Sequence, residues 1–174
     1  MFLVPEKKSN LYNTLVEFAY AEYGSALEML KAAKTANSPK LKVGYINHAL
    51  DEYRHSKLIF DVLNNEVKRN KDFFKKEFRF SPQNVVLKGY LDKRNFLVEK
   101  LKQKNFVEFV YTNEFLAKDS FDSLIKRIKN KESLKILKQI SKEEENHADY
   151  SVKTLNNIMK EEDRHWTFAK LFYD

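Results

Sequence analysis

The segment Asp51-Glu52-Tyr53-Arg54-His55 places a carboxylate and an imidazole three residues apart, in a Glu-x-x-His motif. On an α-helix, residues three apart lie on the same face. The two side chains can therefore bind one metal ion or two neighbouring ions. Alone, the motif is a weak signal, because helices rich in charged residues contain it by chance.

A second copy of the motif is formed by Glu144 and His147. Both copies fall on the apolar stripe of a predicted helix, and so do two further carboxylates, Glu22 and Glu114. Four carboxylates on apolar faces are very costly to bury without partners. A metal centre supplies the missing positive charge, whereas protonated acids or Arg and Lys partners are the alternative.

The spacing of these carboxylates predicts two helical hairpins. Glu22 and Glu52 are 52 − 22 = 30 residues apart and are centred on a predicted turn at Asn37. Glu114 and Glu144 are also 144 − 114 = 30 residues apart, centred on a second predicted turn. Residues equidistant from a hairpin turn lie at equal height. Each pair is therefore predicted to meet across its own hairpin, and two packed hairpins bring all the ligands to one point.

Helical periodicity and turn signals predict an all-α chain that forms one domain over residues 1–174. We expect an antiparallel four-helix bundle made of two hairpins and a long crossover with a short extra helix. With 3 Gly and 3 Pro, the chain has few residues that break helices. The predicted helices cover about 10–36, 40–68, 105–128 and 132–160, with the connection at 70–104 and a tail at 161–174.

Composition excludes several kinds of site. The chain has no cysteine, which excludes disulfides, iron–sulfur clusters and thiolate zinc sites. Neither a transmembrane run of about 18 apolar residues nor a signal-peptide pattern is present, so we expect a cytoplasmic protein. The net charge of +7 is typical of a soluble, Lys-rich surface.

Some assignments near the predicted ligands stay open. Glu17 is an alternative to Glu22, although it lies on a more polar face. His48 precedes Glu52 by one turn and is predicted to contact a ligand, with a role as a seventh ligand as the alternative. Asp51 and Glu145 are expected to be solvated, although Glu143 or Glu145 could support a ligand.

Four tyrosines fall near the level of the predicted ligands: Tyr20, Tyr23, Tyr53 and Tyr111. Each could donate a hydrogen bond to a ligand or carry a radical. Ordinary packing is the alternative for all four, since the chain has 9 Tyr and 14 Phe.

The stretch from Lys71 to Arg79 alternates Phe with basic residues. Such a pattern can bind a membrane surface or nucleic acid. We favour a crossover segment that packs its Phe side chains on the bundle, because short apolar clusters usually join a core.

The motifs and their spacing resemble the ferritin-like di-iron carboxylate superfamily, which includes bacterioferritins, rubrerythrins and di-iron hydroxylases and oxygenases. The resemblance covers nearly the whole chain. It implies a metal centre whose ligands are Glu22, Glu52, His55, Glu114, Glu144 and His147.

The resemblance also implies a function. We expect an O₂-activating di-iron oxidoreductase, in particular an oxygenase or hydroxylase of an organic substrate. Its cofactor would be two Fe ions, with Mn or a mixed Mn/Fe pair as the alternative. Expected partners are O₂, a small-molecule substrate, an electron-donor protein and a second copy in a homodimer. The alternatives are a ferroxidase, iron-handling or peroxide-detoxifying protein, and a tRNA-modifying hydroxylase. Binding to nucleic acid or to a membrane surface is a further alternative that we do not favour.

Overall fold

The computed structural model describes residues 11–69 and 96–173, with side chains described for 11–66 and 96–160. All regular structure within these residues is helical, which confirms the predicted all-α class. The helices are α1 (Leu11–Thr35), α2 (Pro39–Arg69), α3 (Leu97–Lys100), α4 (Gln103–Ile125) and α5 (Lys131–Tyr173).

Local sequence signals explain where two of these helices begin. α2 begins at Pro39, whose fixed φ suits the first helical position and whose missing N–H would be unpaired there. Asn130 caps α5, because its Oδ1 accepts the backbone N–H groups of Glu132 at 2.8 Å and Ser133 at 3.2 Å. Both turns therefore lie where the hairpin prediction placed them.

The carboxyl-terminal helix is longer than predicted. α5 continues to Tyr173, which is 173 − 160 = 13 residues beyond the expected end. The prediction of a separate tail at 161–174 is therefore wrong, because the helix includes these residues as far as Tyr173. The physical reason is the absence of Gly and Pro between Lys131 and Tyr173, which leaves no residue that stops a helix.

The helices pack as two pairs, α1 with α2 and α4 with α5, and α2 also packs against α5. The Ser56 hydroxyl donates to the Ala19 carbonyl oxygen at 2.7 Å and fixes the register of the first pair. Gly44 makes room for the Tyr150 side chain of α5 against α2, because a Cβ on Gly44 would overlap the Tyr150 hydroxyl and lie 2.6 Å from its Cζ. Five helices thus pack on one another, and the finer ferritin-like arrangement stays a prediction.

Two apolar clusters lie at different heights along the helices. The larger cluster draws on the first half of α1 and the second half of α2, and the smaller on the opposite halves. Glu22 of α1 and Glu52 of α2, which are predicted metal ligands, lie at a height between these two clusters. The larger cluster includes Leu15, Phe18, Ile59, Phe121, Leu137 and Ile140, and the smaller includes Met29, Ala33, Tyr45, Ala49, Phe106 and Val110.

Part of the predicted connection at 70–104 lies outside the described residues, and the Lys71–Arg79 segment is within that part. The short α3 occupies the described end of the connection, where Val98 donates its N–H to Glu28 Oε1 at 2.7 Å. None of the helices over 11–69 and 96–173 contains a stretch apolar and long enough to cross a membrane.

Candidate metal centre

Two groups of His and Glu side chains meet between the apolar clusters. Within each group, one potential ligand atom per residue lies within 4.8 Å of all the others. Four helices contribute: α1, α2, α4 and α5. The first group is His48, Glu52, Glu114 and His147, and the second is Glu22, Glu52, His55 and Glu144. All six predicted ligands are therefore brought together, and His48 joins them.

The first group links α2, α4 and α5. His48 Nε2 lies 2.9 Å from Glu52 Oε1 and 3.2 Å from Glu114 Oε1. His147 Nδ1 lies 3.2 Å from Glu52 Oε1 and 3.7 Å from Glu114 Oε2. Two imidazoles and two carboxylates thus face one small volume.

The second group links α1, α2 and α5. His55 Nδ1 lies 2.7 Å from Glu144 Oε1 and 3.5 Å from Glu22 Oε2. Glu52 belongs to this group as well as to the first. A single carboxylate between two groups of ligands is the position from which a Glu bridges two ions.

Buried polar atoms without hydrogen-bond partners provide a test of whether a metal fits. Glu22 Oε2, both carboxylate oxygens of Glu144, and Nδ1 of His55 and of His147 are fully buried and make no hydrogen bond of good geometry. Three further such atoms lie on other described residues: Tyr45 Oη, Glu66 Oε1 and Ser133 Oγ. Buried polar atoms normally have hydrogen-bond partners, whereas the five at the centre make only ion-pair contacts without hydrogen-bond geometry. These five all belong to predicted ligands, and coordination to cations would satisfy them together.

Distances between the potential ligand atoms also suit coordination. Two donors bound about 2.1 Å from one ion at a right angle lie about 3.0 Å apart. The nitrogen–oxygen separations within the groups run from 2.7 Å to 3.7 Å. The residues therefore have the donor types and the spacing of two adjoining metal positions, and two buried His/Glu clusters can hold metal ions.

Without a metal, the imidazoles take up protons from the surrounding acids. Burial acts to lower the pKa of His55, but the neighbouring Glu144 and Glu22 outweigh it and raise that pKa to about 11. Burial also acts to lower the pKa of His147, but Glu114, Glu144 and Glu52 outweigh it and raise that pKa above the ordinary range. The metal-free centre is therefore held together by buried ion pairs.

The four carboxylates divide into two kinds, because the pKa is raised for Glu22 and Glu144 and lowered for Glu52 and Glu114. Burial, together with the charges of Glu52 and Glu144, raises the pKa of Glu22 well above its usual range. Burial and then the charge of Glu52 raise the pKa of Glu144 to about 7. For Glu114, burial and Glu52 act upward, yet His48 and His147 outweigh them and lower the pKa to about 2. Glu22 and Glu144 therefore retain protons more readily than free glutamates, and a metal ion would displace such protons.

We expect metal affinity to rise with pH. His55 and His147 carry protons at neutral pH because their pKa values are raised, and an imidazole must lose its proton to bind a metal. Loading should release at least about two protons per chain, and affinity should be higher at about pH 8 than at about pH 6. Calorimetric titrations in two buffers of different ionisation enthalpy count the protons, and equal affinities at both pH values would contradict the expectation.

Two of the three histidines of the centre, His55 and His147, are held from their outer side by a carboxylate. His55 Nε2 lies 2.7 Å from Glu143 Oε2, and His147 Nε2 lies 3.4 Å from Asp51 Oδ2. Arg54 joins the two carboxylates, at 2.6 Å from Asp51 and 3.1 Å from Glu143. Carboxylates in this position fix the tautomer and the orientation of a ligating imidazole.

Sequence reasoning missed most of this outer network. Asp51 was expected to be solvated and Arg54 was given no role, whereas Glu143 was considered as a support for a ligand. The available signal was position, because Asp51, Arg54 and Glu143 each directly precede a predicted ligand. A residue one step before a ligand lies about 100° around the helix, at the edge of the buried face.

Glu143→Gln should weaken metal binding by roughly 10- to 100-fold, because it removes the charge that holds His55 while keeping the side-chain shape. A chelator competition titration measures the change. Glu145→Gln is the matched control, since it makes the same substitution two residues later at an exposed position of α5. Equal affinities in the two variants would contradict the role given to Glu143.

The other candidate residues fall around the centre. The rings of Tyr23 and Tyr53 pack at 6.0 Å between centroids, and Tyr53 is 47% exposed. Tyr111 is half-buried on α4. A role for these tyrosines next to the ligands stays a prediction. Glu17 is in neither group, and Glu22 takes the α1 position in the second group.

Comparison with known proteins adds no family. No protein-family model matches the chain. A search of curated proteins finds no significantly similar sequence. The functional argument therefore rests on the residues of the centre.

Proposed function

We propose that the chain is a di-iron oxidoreductase that activates O₂ and acts on an organic substrate as an oxygenase or hydroxylase. One observation carries the proposal: Glu52 is shared by two buried groups of four His and Glu residues. Paired sites that share a carboxylate between helices are the arrangement of di-iron and di-manganese bundles.

The donor types support iron. The two groups contain only imidazole and carboxylate donors, and these suit Fe or Mn. A structural zinc site would favour cysteine-containing tetrahedra, and the chain has no cysteine. Two ferrous ions are therefore the proposed cofactor, with a mixed Mn/Fe pair also compatible with these donors.

The protein contributes position, charge and exclusion of water. When bound, two ferrous ions supply electrons for the reduction of O₂. Glu22, Glu52, Glu114 and Glu144 offset the positive charge of the ions, and none is more than 5% exposed. The apolar clusters above and below the ligands keep the surrounding space dry, which strengthens every electrostatic interaction within it.

Burial favours catalysis over iron handling. His55 and Glu144 are 0% exposed, which suits ions that stay in place. A ferroxidase or storage protein instead requires ions to enter and leave. A tRNA-modifying hydroxylase would share the same centre and differ in its substrate. We further propose a cytoplasmic protein that receives electrons from a donor protein, acts on a small molecule and forms a homodimer.

Anaerobic titration with Fe(II), followed by O₂, tests the proposal. We expect binding to saturate at about two Fe per chain, with a change in the optical spectrum on exposure to O₂. Iron content that keeps rising, with growth of mineral detected by light scattering, would instead indicate iron storage. Less than about one equivalent of bound Fe, Mn or Zn after reconstitution would defeat the metal centre itself.

A further inference from the structure

We propose that His48 is a seventh ligand and that the centre has two unlike metal positions, one rich in imidazole and one rich in carboxylate. The imidazole-rich position would select a later transition metal such as Co(II), Fe(II) or Zn(II). The carboxylate-rich position would discriminate least against Mn(II), so Mn(II) would occupy it when the later metal is limiting, whereas two Fe(II) ions would fill both positions when only Fe(II) is supplied. This inference rests on the proposed metal centre and assigns a preference to each half of it.

His48 occupies a buried position between two carboxylates that suits a metal ligand. Its side chain is 3% exposed, and Nε2 is 2.9 Å from Glu52 on α2 and 3.2 Å from Glu114 on α4. A ring N–H donates along one direction, so a single proton cannot serve both carboxylates well. A shared cation explains the double approach, because donors around one ion lie at such distances from one another.

The position of the neighbouring His147 ring also supports His48 as a metal ligand. The rings of His48 and His147 have centroids 4.1 Å apart and planes inclined by 34°. Both rings direct a nitrogen towards the same carboxylate oxygen, since Glu52 Oε1 lies 2.9 Å from His48 Nε2 and 3.2 Å from His147 Nδ1. Two imidazole nitrogens that converge on one carboxylate oxygen are arranged as donors around a single ion.

The two positions then differ in donor set. With Glu52 shared, the first position has His48, His147 and Glu114, whereas the second has His55 with Glu22 and Glu144. Imidazole favours the later, softer divalent metals, and carboxylate suits Mn. The first position has two imidazoles and the second has one, and this difference gives each position its own metal preference.

The test uses wild-type protein loaded without O₂ with one equivalent per chain of Co(II) and one of Mn(II), so that Co(II) fills the position it prefers and leaves the other to Mn(II). We expect about one ion of each metal per chain, and crystals measured at the two absorption edges should place Co beside His48 and Mn beside Glu22. Equal mixing of Co and Mn at both positions, or the reverse order, would overturn the proposal. If neither metal binds, the proposed metal centre fails along with this inference.

Two matched variants separate a ligand from a supporting residue. Outer partners contribute roughly 10- to 100-fold in metal affinity, so His48→Gln should lower Co(II) affinity by more than about 100-fold while Mn(II) remains bound. His55→Gln should do the opposite and release Mn(II). Circular dichroism checks that each variant is folded, and the wild-type diffraction result stands if a variant is not. A loss of less than about 10-fold in folded His48→Gln would show that His48 is no ligand.

Discussion

Glu52→Ala should abolish binding of both metal ions. Glu52 is the only residue common to both groups found among the described side chains, and it is 2% exposed. Its removal takes a donor from each position and the bridge between them. We expect bound metal to fall from about two ions per chain to fewer than about one. The loss of metal affinity should exceed the roughly 100-fold loss that follows when only a side chain supporting a ligand is removed. Elemental analysis after anaerobic reconstitution measures the content.

Glu17→Ala is the control for this loss. Glu17 is a carboxylate on α1 that belongs to neither group, so the variant should keep both ions. The comparison also tests the choice of Glu22 over Glu17 as the α1 ligand. If Glu52→Ala folds and still binds about two ions, the shared-carboxylate arrangement is wrong.

The pattern of apolar and charged residues was sufficient to predict much of the centre. Glu22 and Glu52 stand out because each is an acid on a stripe of apolar residues, and the 30-residue separation places them together. The second group contains both. Glu114 and Glu144 fall in different groups but both approach His147 Nδ1 at 3.7 Å. Periodicity thus predicts the helix face and the height at which each carboxylate lies, but it does not predict which of the two metal positions that carboxylate belongs to.

The outer network was harder to predict, for a physical reason. Asp51 and Arg54 have side chains that are both 40% exposed, so their sequence pattern is that of any solvated helix surface. Their importance comes from the approach of α5 to α2, which is a tertiary contact. The role of His48 was ambiguous because helical spacing puts ligands and their supports on the same face one turn apart.

Phe121→Ala should destabilise the metal-free protein by about 3–5 kcal/mol. Phe121 on α4 is 0% exposed in the larger apolar cluster, and its ring centroid lies 4.9 Å from that of Phe18 on α1. The substitution leaves a cavity where the two helix pairs meet. Urea denaturation measures the free energy of unfolding. Phe115→Ala is the control, because Phe115 lies on the same helix and is 51% exposed, so its loss should be within about 0.5 kcal/mol.

Metal should then restore part of what Phe121→Ala removes. Glu22 and Glu52 come from the first pair of helices, and Glu114 and Glu144 come from the second, so bound ions join the same two pairs that Phe18 and Phe121 hold together. A ligand that binds only the folded state adds about 2.7 kcal/mol at a free concentration of 100 times its dissociation constant. Metal at that level should raise the unfolding free energy of Phe121→Ala by about this amount for each ion bound, and should leave that of Glu52→Ala unchanged. An equal rise in both variants would mean that the ions bind elsewhere on the chain.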